Sequence, residues 1–217
     1  MELNATSPPV QHFETQEVQV YKLVLLGSSD VGKSCMVIRY VKDQFQNTVP
    51  TTGCAFFTQN INIMGKPLEF AIWDTAGQER YHSVCHLYYR GASAAMLVYD
   101  ITRKETFSRA QLWLQELERY FPDGELVTVL VGNKSDLQAE RNVPQEEGRA
   151  LADSKGLLFM EASAKTGDNV CEAFEALGYE LLSRESKRQE RERKRSTDIT
   201  IRGQRNMSYE GRNCCKS

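Results

Sequence analysis

The 217 residues are 41% apolar with a formal charge of −2, and the isoelectric point lies near 6.0. This suits one ordinary domain with polar ends and gives no global attraction to nucleic acid. No apolar run approaches the roughly 18 residues needed to cross a bilayer. The opening stretch MELNATSPPVQHFETQEVQV also lacks the basic start and apolar core of a secretory signal, so a cytosolic protein is expected, held at a membrane only covalently or peripherally.

In chain order, residues 1–19 are polar with two prolines and are expected to form a disordered arm. A folded domain is expected over 20–183. Within it YKLVLL, AFFTQNINI, LEFAIW, AAMLVYD, VTVLVG and LLFMEA read as strands, and helical patterns fall near 33–43, 104–120, 144–155 and 168–182. YKLVLL, AAMLVYD and VTVLVG are almost continuously apolar, as in a parallel sheet covered by helices on both faces, so the class is α/β. Gly65-Lys66-Pro67 between two strands suggests a tight hairpin, which makes one edge strand antiparallel. Residues 184–217 read as a flexible tail rich in Arg, Glu, Ser and Asn. Cys35, Cys54, Cys85 and Cys171 have no paired spacing and read as small buried hydrophobes.

Three strand ends carry chemistry. Gly27-Ser28-Ser29-Asp30-Val31-Gly32-Lys33-Ser34 fits G-x-x-x-x-G-K-[ST] between the strand YKLVLL and the helical SCMVIRYVKDQF. In that setting backbone N–H groups point at phosphate oxygens, the helix N-terminus adds partial positive charge, Lys33 reaches the outer phosphates and Ser34 ligates Mg²⁺. Asp74-Thr75-Ala76-Gly77-Gln78 closes the strand LEFAIW. There a carboxylate can hold Mg²⁺ through water, Gly77 can donate to a terminal phosphate, and Gln78 is the candidate to orient an attacking water. Asn133-Lys134-Ser135-Asp136 follows VTVLVG, and Glu161-Ala162-Ser163-Ala164-Lys165 follows LLFM. Asp136 can accept the paired N1–H and amine donors of guanine, which adenine lacks, so the nucleotide is GTP or GDP. Asn133 would tether the loops, Lys134 would lie along the base, the Ala164 amide would meet the guanine oxygen, and Lys165 would flank the base.

These motifs, in order and spacing, resemble the Ras-like small GTPases over residues 20–183, which implies a P-loop small G domain with a six-stranded, mostly parallel sheet. WDTAGQE, YYRGA and the paired terminal cysteines are similar to the Rab branch, and GCAFFT, YHSVCHLYYRGA and VYDITRK to its endosomal, epithelial recycling members. The resemblance implies that Thr51 ligates Mg²⁺ in the GTP state, that Cys35 and Ser163 join the base site, and that 44–55 and 75–90 are switch segments ordered by the γ-phosphate. Phe56, Trp73 and Tyr88 match an aromatic triad read by effectors. Cys214 and Cys215 match a doubly prenylated ending, and two lipid chains anchor stably where one does not. Implied partners are an exchange factor, a GTPase-activating protein, a GDP-dissociation inhibitor, effectors and the cytosolic face of recycling or early endosomes. The chain is expected to be a monomer that does not bind nucleic acid.

Two positions depart from the family pattern. Thr52 stands where most Rabs carry Val or Ile, so the first switch should be looser. Asp30 puts a carboxylate in the phosphate loop, which predicts faster nucleotide exchange unless the side chain turns into solvent, as exposed carboxylates commonly do. Hydrolysis would be an in-line attack by water held by Gln78, with Lys33, Mg²⁺ and loop N–H groups stabilising the charge. No arginine finger is supplied, so the rate should be slow, on the order of 10⁻⁴ per second by analogy with Ras, until an activating protein binds. A non-cycling GTP-bound scaffold is the competing reading; a small-metabolite kinase would not need Asn133 and Asp136 in this pattern.

Overall fold

A computed structural model describes residues 18–46, 51, 53–77, 85–122 and 124–207. The strands are β1 (Gln19–Leu26), β2 (Cys54–Ile63), β3 (Lys66–Thr75), β4 (Ala94–Asp100), β5 (Val127–Asn133) and β6 (Leu158–Glu161). The helices are α1 (Lys33–Lys42), α2 (Cys85–Tyr89), α3 (Lys104–Tyr120), α4 (Gln145–Lys155) and α5 (Val170–Met207). The six strands form one sheet in the order β2-β3-β1-β4-β5-β6. Every pairing is parallel except β2 with β3, so the α/β expectation with one antiparallel edge holds.

The hairpin closes one residue earlier than expected. Ile63 pairs with Lys66, leaving Met64 and Gly65 as the two-residue turn, both at positive φ (53° and 79°). Such a turn matches the twist of its flanking strands, and Lys66-Pro67 already belongs to β3.

β4 and β5 are buried along their whole length because helices cover both faces, which is what their unbroken apolar runs require. On one face α1 and α5 bring Met36, Val37, Phe174 and Leu177 against Leu23, Leu25, Met96 and Val129. On the other, α3 turns Phe107, Ala110, Leu114 and Leu117 onto Val24, Leu97 and Tyr99. The spacing of those four positions is helical, and burying each large apolar side chain contributes about 1.5–3 kcal/mol.

The cysteine expectation needs correction. Cys35 and Cys54 are only half-buried and Cys171 is exposed, since Cys171 sits in the first turn of α5 away from the stripe that packs on the sheet. Burial still pushes the Cys54 thiol up to about 11, so it stays protonated near neutral pH. Beyond 183 the backbone remains helical to Met207. Ion pairs Arg184–Glu180 (2.7 Å) and Lys194–Glu190 (2.6 Å) lie one turn apart on that stretch, each worth about 0.3–0.5 kcal/mol. The sheet begins at Gln19, inside the expected arm; residues 1–17 of that arm, Thr52, Gln78 and the terminal cysteines lie outside the described residues.

Candidate functional site

Because β1, β3, β4, β5 and β6 run the same way, the loops after Leu26, Thr75, Asp100, Asn133 and Glu161 emerge on one sheet edge. The sheet grows outward from β1 in both directions there, and such a switch point opens a crevice at the carboxyl ends of the strands. A cavity of about 460 Å³ lies at that edge. It is lined by Ser29, Asp30, Gly32, Lys33, Ser34 and Cys35 from the first loop and helix, by Thr51 and Gly77, and by Asn133, Lys134, Asp136, Ala164 and Lys165. Gly27, Ser28 and Val31 sit behind the wall. Val31 is in the core and Ser28 is nearly so.

At one end the sequence folds into a cradle for anions. Gly32 caps α1 in a left-handed conformation (φ 94°), with no side chain capping the helix and no acidic residue in its first turn. The orphan N–H groups of that turn therefore face the cavity with the positive end of the helix dipole behind them. Lys33 is 5% exposed, and its ammonium donates to the carbonyls of Gly27 (2.8 Å) and Ser28 (2.9 Å).

Beside it, three oxygen-bearing side chains from separate segments converge. Ser34 Oγ donates to Asp74 Oδ2 at 2.5 Å and shares a 2.7 Å hydrogen bond with Thr51 Oγ1. Asp74 is 1% exposed, and its second oxygen, Oδ1, is buried without a hydrogen-bond partner among the described residues. Burial raises its pKa above the usual carboxylate range, against the opposing pull of the Ser34 hydrogen bond and the Lys33 charge. One desolvated carboxylate with two hydroxyls is a hard-oxygen set that fits Mg²⁺, which takes few protein ligands and keeps several of its own. A bound dication would also satisfy the orphaned Oδ1.

At the other end Asn133 ties the loops together. Its Nδ2 donates to the Val31 carbonyl at 2.7 Å, and its Oδ1 accepts the Ala164 amide at 3.1 Å. That amide was expected to face a base oxygen; here it is turned to Asn133 instead. Asp136 is oriented by Ser163, whose hydroxyl donates to Oδ1 at 2.6 Å, and Lys165 Nζ lies 3.8 Å from Oδ2. Lys134, at φ 69°, pairs with Asp100 Oδ2 at 2.8 Å. Asp30 is exposed at the mouth of the cavity, turned out from the loop it belongs to.

The aromatic triad lies apart from this cavity. Phe56 is 55% exposed and meets Trp73 edge to face with centroids 5.4 Å apart. Lys22 Nζ sits 4.8 Å from the Trp73 ring centroid, and Tyr88 packs partly buried against the core of that face.

Several site residues escape sequence reasoning. Phe45 and Leu137 line the cavity although no motif contains them. Arg39 clamps the last motif from behind, donating to the carbonyls of Ala164 (3.1 Å) and Lys165 (2.9 Å). Asp100 is the exception, because a carboxylate ending a buried strand at the ligand edge is a readable signal. A larger groove of about 780 Å³ includes Arg141 and Glu161, but those two already satisfy each other through paired 2.7 Å hydrogen bonds.

Residues 22–183 match the model of the Ras family. The chain is 57% identical over 166 residues to the Ras-related protein Rab-17 of Homo sapiens, covering 76% of this chain and 78% of that one. It is 58% identical over 165 residues to the Ras-related protein Rab-17 of Mus musculus, covering 76% and 77%.

Proposed function

Because the chain belongs to the Ras family of small GTPases and is an enzyme that hydrolyses GTP, we propose that it works as a Rab-type switch of endosomal vesicle traffic, cycling between GDP and GTP. The observation that carries this reading is a single cavity with the Ser34, Thr51 and Asp74 oxygens at one end and the oriented Asp136 carboxylate at the other. A guanine nucleotide with its Mg²⁺ needs both.

In this reading Asp136 accepts the guanine N1–H and amine, while Ser163 holds the carboxylate in place. Asn133 keeps the base motif and the phosphate loop in register, Lys134 and Lys165 flank the base, and Cys35 sits at its edge. Backbone N–H groups of 27–34 receive the phosphates and Lys33 neutralises the outer ones, with Gly77 donating to the last. Ser34, Thr51 and Asp74 would hold Mg²⁺, which screens charge on the transferring phosphate when bound. Gln78 orients the attacking water. Among the described residues no arginine lines the cavity, so turnover stays slow until a partner supplies a catalytic side chain.

Thr51 reaches Ser34 from the first switch, so loss of the γ-phosphate would release that segment and change what Phe56, Trp73 and Tyr88 offer to effectors. Two prenyl groups on Cys214 and Cys215 would hold the protein on cytosolic membrane faces and give a GDP-dissociation inhibitor something to extract.

The test is phosphate release in a single turnover by the full chain loaded with GTP and Mg²⁺. Slow, complete release is expected. GTP that stays bound and intact would favour a locked scaffold.

A further inference from the structure

One peptide of the phosphate loop is held by a side chain to which none of the phosphate, metal or base motifs assigns a role. Arg103, the residue before α3, donates from Nη2 to the carbonyl of Ser29 at 3.2 Å. The two residues are 74 positions apart in sequence. The same guanidinium donates from Nε to Asp100 Oδ2 at 3.1 Å. Asp100 is 1% exposed, and it is itself fixed by Lys134 Nζ at 2.8 Å and by the Thr102 amide (2.9 Å) and hydroxyl (2.7 Å) on Oδ1. The guanidinium is therefore aimed by a buried carboxylate, and its rigid planar fork presents Nε and Nη2 to two acceptors in one fixed geometry, which a point-charge ammonium does not.

What it aims at is a strained unit. Asp30, next to Ser29, adopts φ 61°, a left-handed conformation that a residue with a Cβ enters at some cost. No peptide bond among the described residues is cis, and in a trans peptide the carbonyl and the following N–H point in opposite directions. Drawing the Ser29 carbonyl toward Arg103 turns the Asp30 N–H the other way. Ser29 and Asp30 both line the cavity, as Arg103 does not.

We propose that Arg103 is a positioning residue. It locks the Ser29–Asp30 peptide so that the Asp30 N–H faces the phosphates of a bound nucleotide, and so retards release and supports phosphoryl transfer. The inference rests on the nucleotide-site reading given above. It also joins the two ends of the site, because the carboxylate that aims Arg103 at the phosphate loop is the one that holds Lys134 of the base motif.

The experiment uses the full chain loaded with a fluorescent N-methylanthraniloyl GDP in Mg²⁺, chased with unlabelled GDP. Losing a hydrogen bond from a charged donor predicts about tenfold faster release from Arg103→Gln. Arg103→Lys should fail to restore the parental rate. Asp30→Gly admits the left-handed conformation without strain; in that background Arg103→Gln should accelerate release far less. A role confined to folding would give the same acceleration in both backgrounds, and that result overturns the proposal. So does an Arg103→Gln chain that releases at the parental rate. A parental chain unable to retain the GDP probe would instead overturn the nucleotide-site reading, and this inference with it.

Discussion

Asn133 occupies the space that any side chain on Gly32 would need: a Cβ built on Gly32 would lie 2.3 Å from Asn133 Nδ2. The base motif and the phosphate loop are thus in van der Waals contact as well as hydrogen-bonded through Val31. Gly32→Ala should push the amide off the Val31 carbonyl and strain a backbone at φ +94°. Leaving that buried pair unmade predicts a loss of about 1–3 kcal/mol, read as a lowered thermal midpoint, together with failure to retain GDP on a filter.

Asp136→Ala removes an acceptor that Ser163 holds at 2.6 Å. Two hydrogen bonds to a charged group, at about 1.5–3 kcal/mol each, predict at least a hundredfold weaker GTP binding. ATP, which makes neither bond, should compete as poorly as before. Competition against labelled GDP checks both, and an equal loss for GTP and ATP would refute the assigned base contact.

Asp100 gives a pH dependence with a definite sign. Burial alone would raise its pKa, but the Lys134 ammonium and the Thr102 donors outweigh that and hold it below the ordinary 3.8. A depressed carboxylate stabilises the fold above its unfolded pKa, and the stabilisation is lost as pH falls through the lower folded value. The parental chain should therefore lose stability as pH drops below about 4. Asp100→Asn should be less stable at neutral pH and lack that component of the acid limb, as urea melts across the range would reveal.

Tyr40 stacks on Phe174 with ring planes 2° apart and centroids 3.9 Å apart, joining α1 to α5. Its hydroxyl is buried with no hydrogen-bond partner among the described residues, and burial drives the phenol well above its usual range. Tyr40→Phe keeps the stack and removes the desolvated oxygen, so it should be neutral or stabilising by up to about 1 kcal/mol. A clear loss of denaturant midpoint would mean that the hydroxyl has a role in the fold.

The sheet was legible because each strand carries its own local signature, and AAMLVYD and VTVLVG lie buried along their entire length. The phosphate loop and the Asn133–Asp136 segment were legible because a fixed spacing at a strand end leaves few other uses. Arg103 and Arg39 were not, since the partners that give them meaning stand 74 and 125 positions away, and only topology brings them together. Phe45 shows no more in sequence than an aromatic after a helix, and which loop it faces is a matter of tertiary packing. At the hairpin, the Gly-Lys-Pro chemistry signalled a turn, but strand register assigned it to Met64 and Gly65. The segment after 183 had a composition too polar to form a core. A helix needs no core where oppositely charged side chains pair at four-residue spacing, as Glu180 with Arg184 and Glu190 with Lys194 do.

That long final helix changes what the end of the chain can do under the lipid-anchored reading. Residues 184–207 continue α5, and at about 1.5 Å per residue they rise roughly 36 Å beyond the last turn packed on the sheet. A coil of the same length would let the catalytic core wander over a hemisphere around its anchor, sampling effectors at any height. A helix over 184–207 takes those residues out of the wandering, so a partner that must touch the membrane and the switches together meets the core across a narrower range of distances.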